Sequence, residues 1–400
     1  MLIIAETVVT GRELLRPGWI DVDRGLVRAV GAGDPPHAAD LDLGAVTVVP
    51  GFVDMHVHGG GGGAFPTADP ADTATAVDLH RRHGTTTMIA SLVAAHPAEL
   101  LAQVRVMAEQ VRSGLVAGIH LEGPWLAAER RGAHELSALR DPDPAELDRV
   151  LVAGSGTIRM VTLAPERPGG LNAIRRIVDA GAVAAVGHTE ATYAQARAAV
   201  DAGATVATHL FNAMRPVHHR EPGPVLALVE DPRVTVELIT DGVHLHPALY
   251  RDVSRGVGPN RVALVTDAMA AAGMADGAYR LGSLAVNVVG GVARVAGTDT
   301  IAGSTATMDH VFRYAVAHSG LLRDEALLAA VLQSSVNPAR ALGLPKAGLA
   351  VGAAADLVVL DAQLAVTGVL HHGSWVTRCT GPLARLLARA RAGRGAGDTA

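Results

Sequence analysis

The chain has almost no cysteine and almost no lysine. Cys379 is the only cysteine among 400 residues, which excludes an intrachain disulfide and a metal cluster built on thiolates. Lys346 is the only lysine and lies in the C-terminal region, so no lysine in the middle of the chain can form a Schiff base, a phosphate-loop contact or a carbamylated bridge between metals. Long apolar runs are missing too: none approaches the roughly 20 residues of a membrane span. The opening "MLIIAETVVTGRELL" has neither a positively charged start nor a small-residue cleavage site. There is no excess of positive charge: the formal net charge is -5, and the basic residues are scattered until the tail, which argues against a nucleic-acid partner. Together these absences predict a cytoplasmic protein with no membrane partner.

What is present is ample apolar material, 49% of residues, in a chain longer than one hydrophobic core usually serves. One large domain with a smaller companion is expected. Short β-rich segments alternate with Ala- and Leu-rich helical stretches from about residue 47 to 340, the pattern of a parallel sheet with crossover helices. The strands read are 47–58, 85–92, 116–123, 158–165, 183–189, 205–212, 234–244 and 262–268. Eight such strands predict a (β/α)8 TIM barrel rather than an open sheet. No dinucleotide fingerprint follows the first strand, since "GGGGGAF" lacks a helix-opening G-x-G-x-x-G. The barrel is expected over 50–344 with a β-hairpin inserted near 279–295. The chain ends, 1–49 and 345–382, are predicted to pair into one small β-sandwich, with 383–400 a disordered tail.

In a parallel barrel the C-terminal strand ends open on one face, where active sites lie. There the sequence places His56 and His58 ("VDMHVHGG"), His120 and Glu122 ("HLEGPW"), His188 ("VGHT"), His209 and Asn212 ("THLFNAM"), Asp241 and His244 ("DGVHLHP") and Asp267 ("TDAM"). His-x-His keeps both rings on one face of an extended chain, and the glycines that follow leave room for an approaching group. Singly, each is more often a satisfied polar residue or a helix cap. His80, His83, His96 and His371 sit in helices or loops and keep that ordinary reading. Imidazoles and carboxylates gathered on one rim, without thiolate, instead suit Zn(II), Fe(II) or Mn(II). An ion held this way lowers the pKa of water towards about 7, and a carboxylate such as Asp267 can move the proton to a leaving group. That is metal-assisted hydrolysis.

These motifs, with "HREPG", "AGSTATM" and "ADLVVLD", resemble the amidohydrolase superfamily over nearly the whole chain, and within it the family of N-acetylglucosamine-6-phosphate deacetylases. The resemblance implies a barrel of the metallo-dependent hydrolase type. It implies that Glu122, His188 and His209 hold the main metal, that Asp267 is the general base and then acid, and that His56 and His58 form a second site with Asp267, with Glu122 bridging two ions. One or two divalent ions per subunit, Zn(II) or Fe(II), follow from it. It implies N-acetyl-D-glucosamine 6-phosphate as substrate, cleaved to D-glucosamine 6-phosphate and acetate. Asn212, Ala213 and His244 would lie against the sugar phosphate, His134 near the amide, and Ala302, Gly303 and Ser304 around the substrate. Arg220 offers a planar fork matched to phosphate, and the resemblance has it reach the neighbouring subunit's site in a homodimer. The plainer alternative is a surface arginine paired with Glu221. "GAHELSAL" keeps His134 but departs from the Asn-Pro or Asp-Pro that often follows it in the family. Two other readings stay open: a different amidohydrolase activity, which would not need Arg220, and a non-catalytic scaffold on the same barrel.

Overall fold

The computed structural model describes residues 1–345 and 348–376; Lys346, Cys379 and the tail 383–400 lie outside them. Eight strands form one sheet in sequential order with every pairing parallel: β1 (Phe52–Val57), β2 (Thr85–Leu92), β3 (Gly118–Glu122), β4 (Ile158–Leu163), β5 (Val183–Val186), β6 (Val206–Ala207), β7 (Thr235–Leu238) and β8 (Val262–Leu264). A parallel bridge between Val57 and Ala268 brings the two edge strands together, so the sheet nearly closes into the expected barrel. A helix follows each of the first seven strands: α1 (Pro70–Arg82), α2 (Pro97–Arg112), α3 (Pro144–Gly154), α4 (Gly170–Asp179), α5 (Tyr193–Asp201), α6 (Gly223–Glu230) and α7 (Pro247–Val257). Local chemistry starts them. Asp69 caps α1 ahead of Pro70, and Thr192 with Gln195 forms a reciprocal capping box on α5.

Three expectations change on contact with the structure. The first strand was read as continuous over 47–58, but Thr47–Pro50 pairs with the chain ends while Phe52–Val57 enters the barrel. Pro50 lacks an N–H, and a Cβ on Gly51 would meet Thr86 Oγ1 at 2.1 Å, so only a glycine lets the chain pass from one sheet to the other here. Strands 5, 6 and 8 are shorter than read, because His188, His209, Phe211, Ala213 and Asp267 beyond them take positive φ (49°, 27°, 78°, 49° and 48°), and strand 7 stops at Leu238. The insertion after β8 is a three-stranded antiparallel sheet (Gly277–Leu281, Leu284–Val289, Val292–Val295) rather than one hairpin. Its second turn is made by Gly290 and Gly291, both with positive φ and both donating N–H to the Asp276 carboxylate.

The two ends of the described chain form a six-stranded and a four-stranded sheet. Ile3, Val8, Ile20, Val48, Leu357 and Leu370 pack into the apolar core these sheets share. Inside the barrel, Met55, Ile89, Met160, Ala185, Val206 and Ala263 make an apolar floor, and the polar layer begins one residue pair higher along the strands. Among the described residues no helix is long and apolar enough to cross a membrane.

After the insertion the chain enters α8 (Met308–His318), whose first turn carries the buried Asp309. Burial alone would raise its pKa, yet hydrogen bonds and charge from His83, Thr307 and Arg313 hold it well below the usual carboxylate range. A depressed carboxylate stabilises the fold above its unfolded pKa of about 3.9, and that stability is lost as pH falls through the folded value. Asp309→Asn is therefore expected to lower the melting temperature at pH 7, with the gap to wild type closing as pH drops below about 4. A gap that does not change with pH in thermal melts would contradict this.

Candidate active site

His56 and His58, two residues apart at the end of β1, project on one face into the barrel mouth, and both are buried. Glu122 at the end of β3, His188 after β5, His209 after β6 and Asp267 after β8 converge on them. Glu122 is the hub. Its Oε1 lies 3.0 Å from His188 Nε2, 3.0 Å from His209 Nε2 and 3.4 Å from His56 Nε2, and its Oε2 lies 3.2 Å from His58 Nε2. Asp267 Oδ1 stands 3.3 Å from His58 Nε2 and 3.5 Å from His56 Nε2.

The outer ring nitrogens decide which tautomers face inward. His58 Nδ1 is 3.1 Å from the Ser91 carbonyl and His188 Nδ1 is 2.8 Å from the Arg130 carbonyl, so each must donate there. His56 Nδ1 faces the Glu237 carboxylate at 3.1 Å and donates likewise. In the neutral rings the Nε2 atoms of all three therefore carry lone pairs towards the centre. His56 and His58 bring theirs within 3.2 Å of each other, and His188 and His209 within 3.0 Å. Lone pairs and carboxylate oxygens so close repel unless a cation sits among them, and an imidazole–carboxylate donor set is what a divalent ion takes. The residues fit the group that the barrel implies.

Charge supports this. Burial lowers the His58 pKa, but hydrogen bonds and charge from Asp267 and Glu122 outweigh it and push the ring up to about 9. His56 is likewise held well above its usual value against burial. Glu122 and Asp267 stay well below the carboxylate range although burial opposes it, because imidazoles surround them. The centre is a negative well able to hold a dication.

His134 lies as near, its Nε2 3.2 Å from Glu122 Oε2, yet it plays a different part. Its Nδ1 accepts the Ala94 N–H at 3.1 Å, so in the neutral ring Nε2 carries the proton. Burial outweighs Glu122 and pushes this imidazole down to about 4, keeping it neutral. It offers an N–H donor to the cavity rather than a lone pair.

A cavity of about 330 Å³ opens over the cluster and is lined by His58, Glu122, His134, Asn212, Ala213, His244, Asp267 and Gly303. His244 Nδ1 pairs with Asp241 Oδ2 at 2.7 Å. Against burial, that contact holds His244 above its usual pKa and Asp241 below, which favours the charged form of a ring that faces the cavity. Gly303 has φ of 68°, and a Cβ there would meet the Asp267 carbonyl at 2.7 Å.

Several expected residues do not join the lining. Ala302 is fully buried with Met269 and Val286, and the Ser304 hydroxyl donates to the Thr266 carbonyl at 2.6 Å; Ser304 N–H donates to Asp267 O, holding the Asp267 turn from behind. Asp299, Thr300 and Ile301 take their place at the rim. His120 lies beneath the cluster, between Ser91 Oγ at 2.9 Å and Thr162 Oγ1 at 2.8 Å, with its ring edge against His56. Arg220 does not reach its own chain's cavity. It sits exposed on the small turn bridged by His218 and Glu221, with Nη1 2.7 Å from His219 Nε2. The Glu221 pairing fails as well, since that carboxylate accepts the backbone N–H groups of Tyr193 and Gly223 instead.

Two buried acids were missed. Glu237, in the apolar run "TVELIT" of β7, is fully buried against His56. Asp54, two residues before His56, accepts from Thr266 Oγ1 at 2.5 Å and is pushed up to about 7 by burial despite its hydrogen bonds. A carboxylate inside an otherwise apolar strand was the available signal for both.

Residues 47–378 match the model of the amidohydrolase family. The chain is 36% identical over 379 residues to an N-acetylgalactosamine-6-phosphate deacetylase of Escherichia coli O157:H7, covering 92% of this chain and 98% of that one. It is 38% identical over 352 residues to an N-acetylglucosamine-6-phosphate deacetylase of Bos taurus, 84% of each chain. The fold matches the structure of a mutant N-acetyl-D-glucosamine-6-phosphate deacetylase from Mycobacterium smegmatis in complex with N-acetyl-D-glucosamine 6-phosphate, with a TM-score of 0.94 at 66% identity over 94% of this chain and 99% of that one.

Proposed function

The chain belongs to the amidohydrolase family, and we propose that it hydrolyses N-acetyl-D-glucosamine 6-phosphate to D-glucosamine 6-phosphate and acetate, a step of amino-sugar catabolism and cell-wall recycling. The observation that carries this reading is the convergence of inward lone pairs on Glu122 and Asp267 beneath a small polar cavity.

A divalent ion bound here, Zn(II) or Fe(II), one or two per subunit, supplies Lewis acidity that polarises the acetamide carbonyl and acidifies water. Glu122, His188 and His209 would hold the main ion, and His56 and His58 with Asp267 a second. Asp267, kept anionic, accepts the proton of the attacking water and delivers it to the departing nitrogen. His134, whose Nε2–H faces Glu122 at the cavity wall, would hold the carbonyl oxygen as negative charge develops on it. His244, with the polar edge at Asn212, Ala213 and Gly303, would receive the sugar phosphate. Arg220 completes the anion clamp from the neighbouring subunit of a homodimer. Its exposure, and the lack of a carboxylate partner among the described residues, support that assignment. A phosphorylated sugar is a charged metabolite retained in the cytoplasm, where we place the enzyme.

Arg220→Ala is expected to raise KM for the phosphorylated sugar about 10- to 100-fold with kcat little changed, the loss of one charge-assisted contact. Steady-state kinetics on phosphorylated and unphosphorylated substrate check it, and an equal loss on both would reject the clamp. The function itself is tested by acetate release from N-acetylglucosamine 6-phosphate, N-acetylgalactosamine 6-phosphate and unphosphorylated N-acetylglucosamine, with metal content measured on the same sample. Fast release from the galactosamine epimer alone would move the reading to the other hexosamine.

A further inference from the structure

Glu237 lies directly beneath the cluster on β7 and touches both halves of it. One oxygen, Oε2, takes the His56 Nδ1–H at 3.1 Å and the His209 backbone N–H at 3.0 Å. The first contact fixes the His56 tautomer and ring orientation, so its Nε2 lone pair points at His58 Nε2 and Asp267. The second holds the chain where His209 takes its positive φ. The other oxygen, Oε1, is buried without a hydrogen-bond partner.

This carboxylate is costly where it stands. It is fully buried, and among the described residues no arginine or lysine pairs with Glu237, Glu122 or Asp267; the only ion-pair partners of all three are histidines. A buried charge without a counter-charge is strongly unfavourable. One divalent ion offsets two of the three carboxylates and leaves one unbalanced, whereas a second ion removes the deficit. His56, the ring that Glu237 orients, belongs to the half of the cluster that would hold this second ion.

We propose that Glu237 is a positioning residue that secures the second divalent ion, by orienting His56 and by supplying a third buried negative charge that one ion leaves uncompensated. This rests on reading the cluster as a metal centre. Glu237 touches no reacting atom and acts through His56.

The test is zinc affinity on the full chain. Glu237→Gln preserves shape, since the amide oxygen still accepts from His56 Nδ1 and His209 N, but it removes the charge. Competition against a chromophoric zinc chelator, with metal counted by mass spectrometry, should show the weaker of two zinc ions bound 10- to 100-fold less tightly and the tighter one nearly unchanged. Glu237→Asp keeps the charge and withdraws it by one methylene, so it should fall between wild type and the glutamine variant. Two zinc ions held by Glu237→Gln as tightly as by wild type would overturn the proposal. So would an equal weakening of both, which is what a merely structural role predicts. If the glutamine variant does not fold, the aspartate variant decides on the same criterion. A wild-type chain that binds no zinc, iron or manganese would overturn the metal reading itself, a failure recognisable before any variant is made.

Discussion

Asp267→Asn is expected to lower kcat for acetate release by about 10²- to 10⁴-fold while the chain still binds metal, because a positioned general acid–base contributes on that scale. The carboxylate is suited to the part: its charge is maintained by His56 and His58 against burial, and its backbone turn is pinned by Ser304 N–H and by the His56 carbonyl, which accepts the Asp267 N–H. Asparagine keeps the size and the turn but cannot take a proton. The main metal group proposed above, Glu122, His188 and His209, does not include Asp267, so at least one ion should stay bound. Acetate release measured beside metal content separates the outcomes. A variant retaining a tenth or more of wild-type kcat would remove Asp267 from proton transfer, and an unaltered cellular role with chemistry lost would favour the scaffold reading.

The second large effect is at Glu122. One carboxylate reaches five imidazoles, those of His56, His58, His134, His188 and His209. Glu122→Ala should remove metal and activity together, and with them the stabilisation that metal confers. A ligand present at a thousand times its Kd stabilises a fold by about 4 kcal/mol, so the wild-type melting temperature should rise on adding zinc and the variant's should not. Removing zinc from wild type with a chelator should reproduce the variant's behaviour and be reversed by returning the metal. If Glu122→Ala bound zinc and melted as wild type does, the ligand assignment would be wrong and the inward lone pairs would need another explanation.

Much of this site was legible in the linear chain because a parallel barrel converts sequence spacing into geometry. His56, Glu122, His188, His209 and Asp267 all follow apolar strands, and every strand of such a sheet ends on the same face. The residues that escaped detection do not sit at strand ends. Glu237 and Asp54 lie within strands, and nothing local marks a buried acid as supporting a site rather than interrupting a core. Ala302 and Ser304 were placed around the substrate on motif alone, yet the turn at Gly303 points only that glycine's surface into the cavity.

The amino-acid sequence by itself determined the barrel, the pairing of the chain ends and the donor types at the rim. Those follow from hydrophobic periodicity, turn residues and the chemistry of imidazole and carboxylate, all of which are local. Tertiary structure alone decided which ring nitrogens face inward, since each tautomer is set by a partner on a distant segment of the chain: Ser91 for His58, Arg130 for His188, Glu237 for His56 and Ala94 for His134. That distinction separates three lone-pair donors from one N–H donor among residues of identical chemistry. It depends on contacts between positions 33 to 181 residues apart, which no local pattern in the chain encodes.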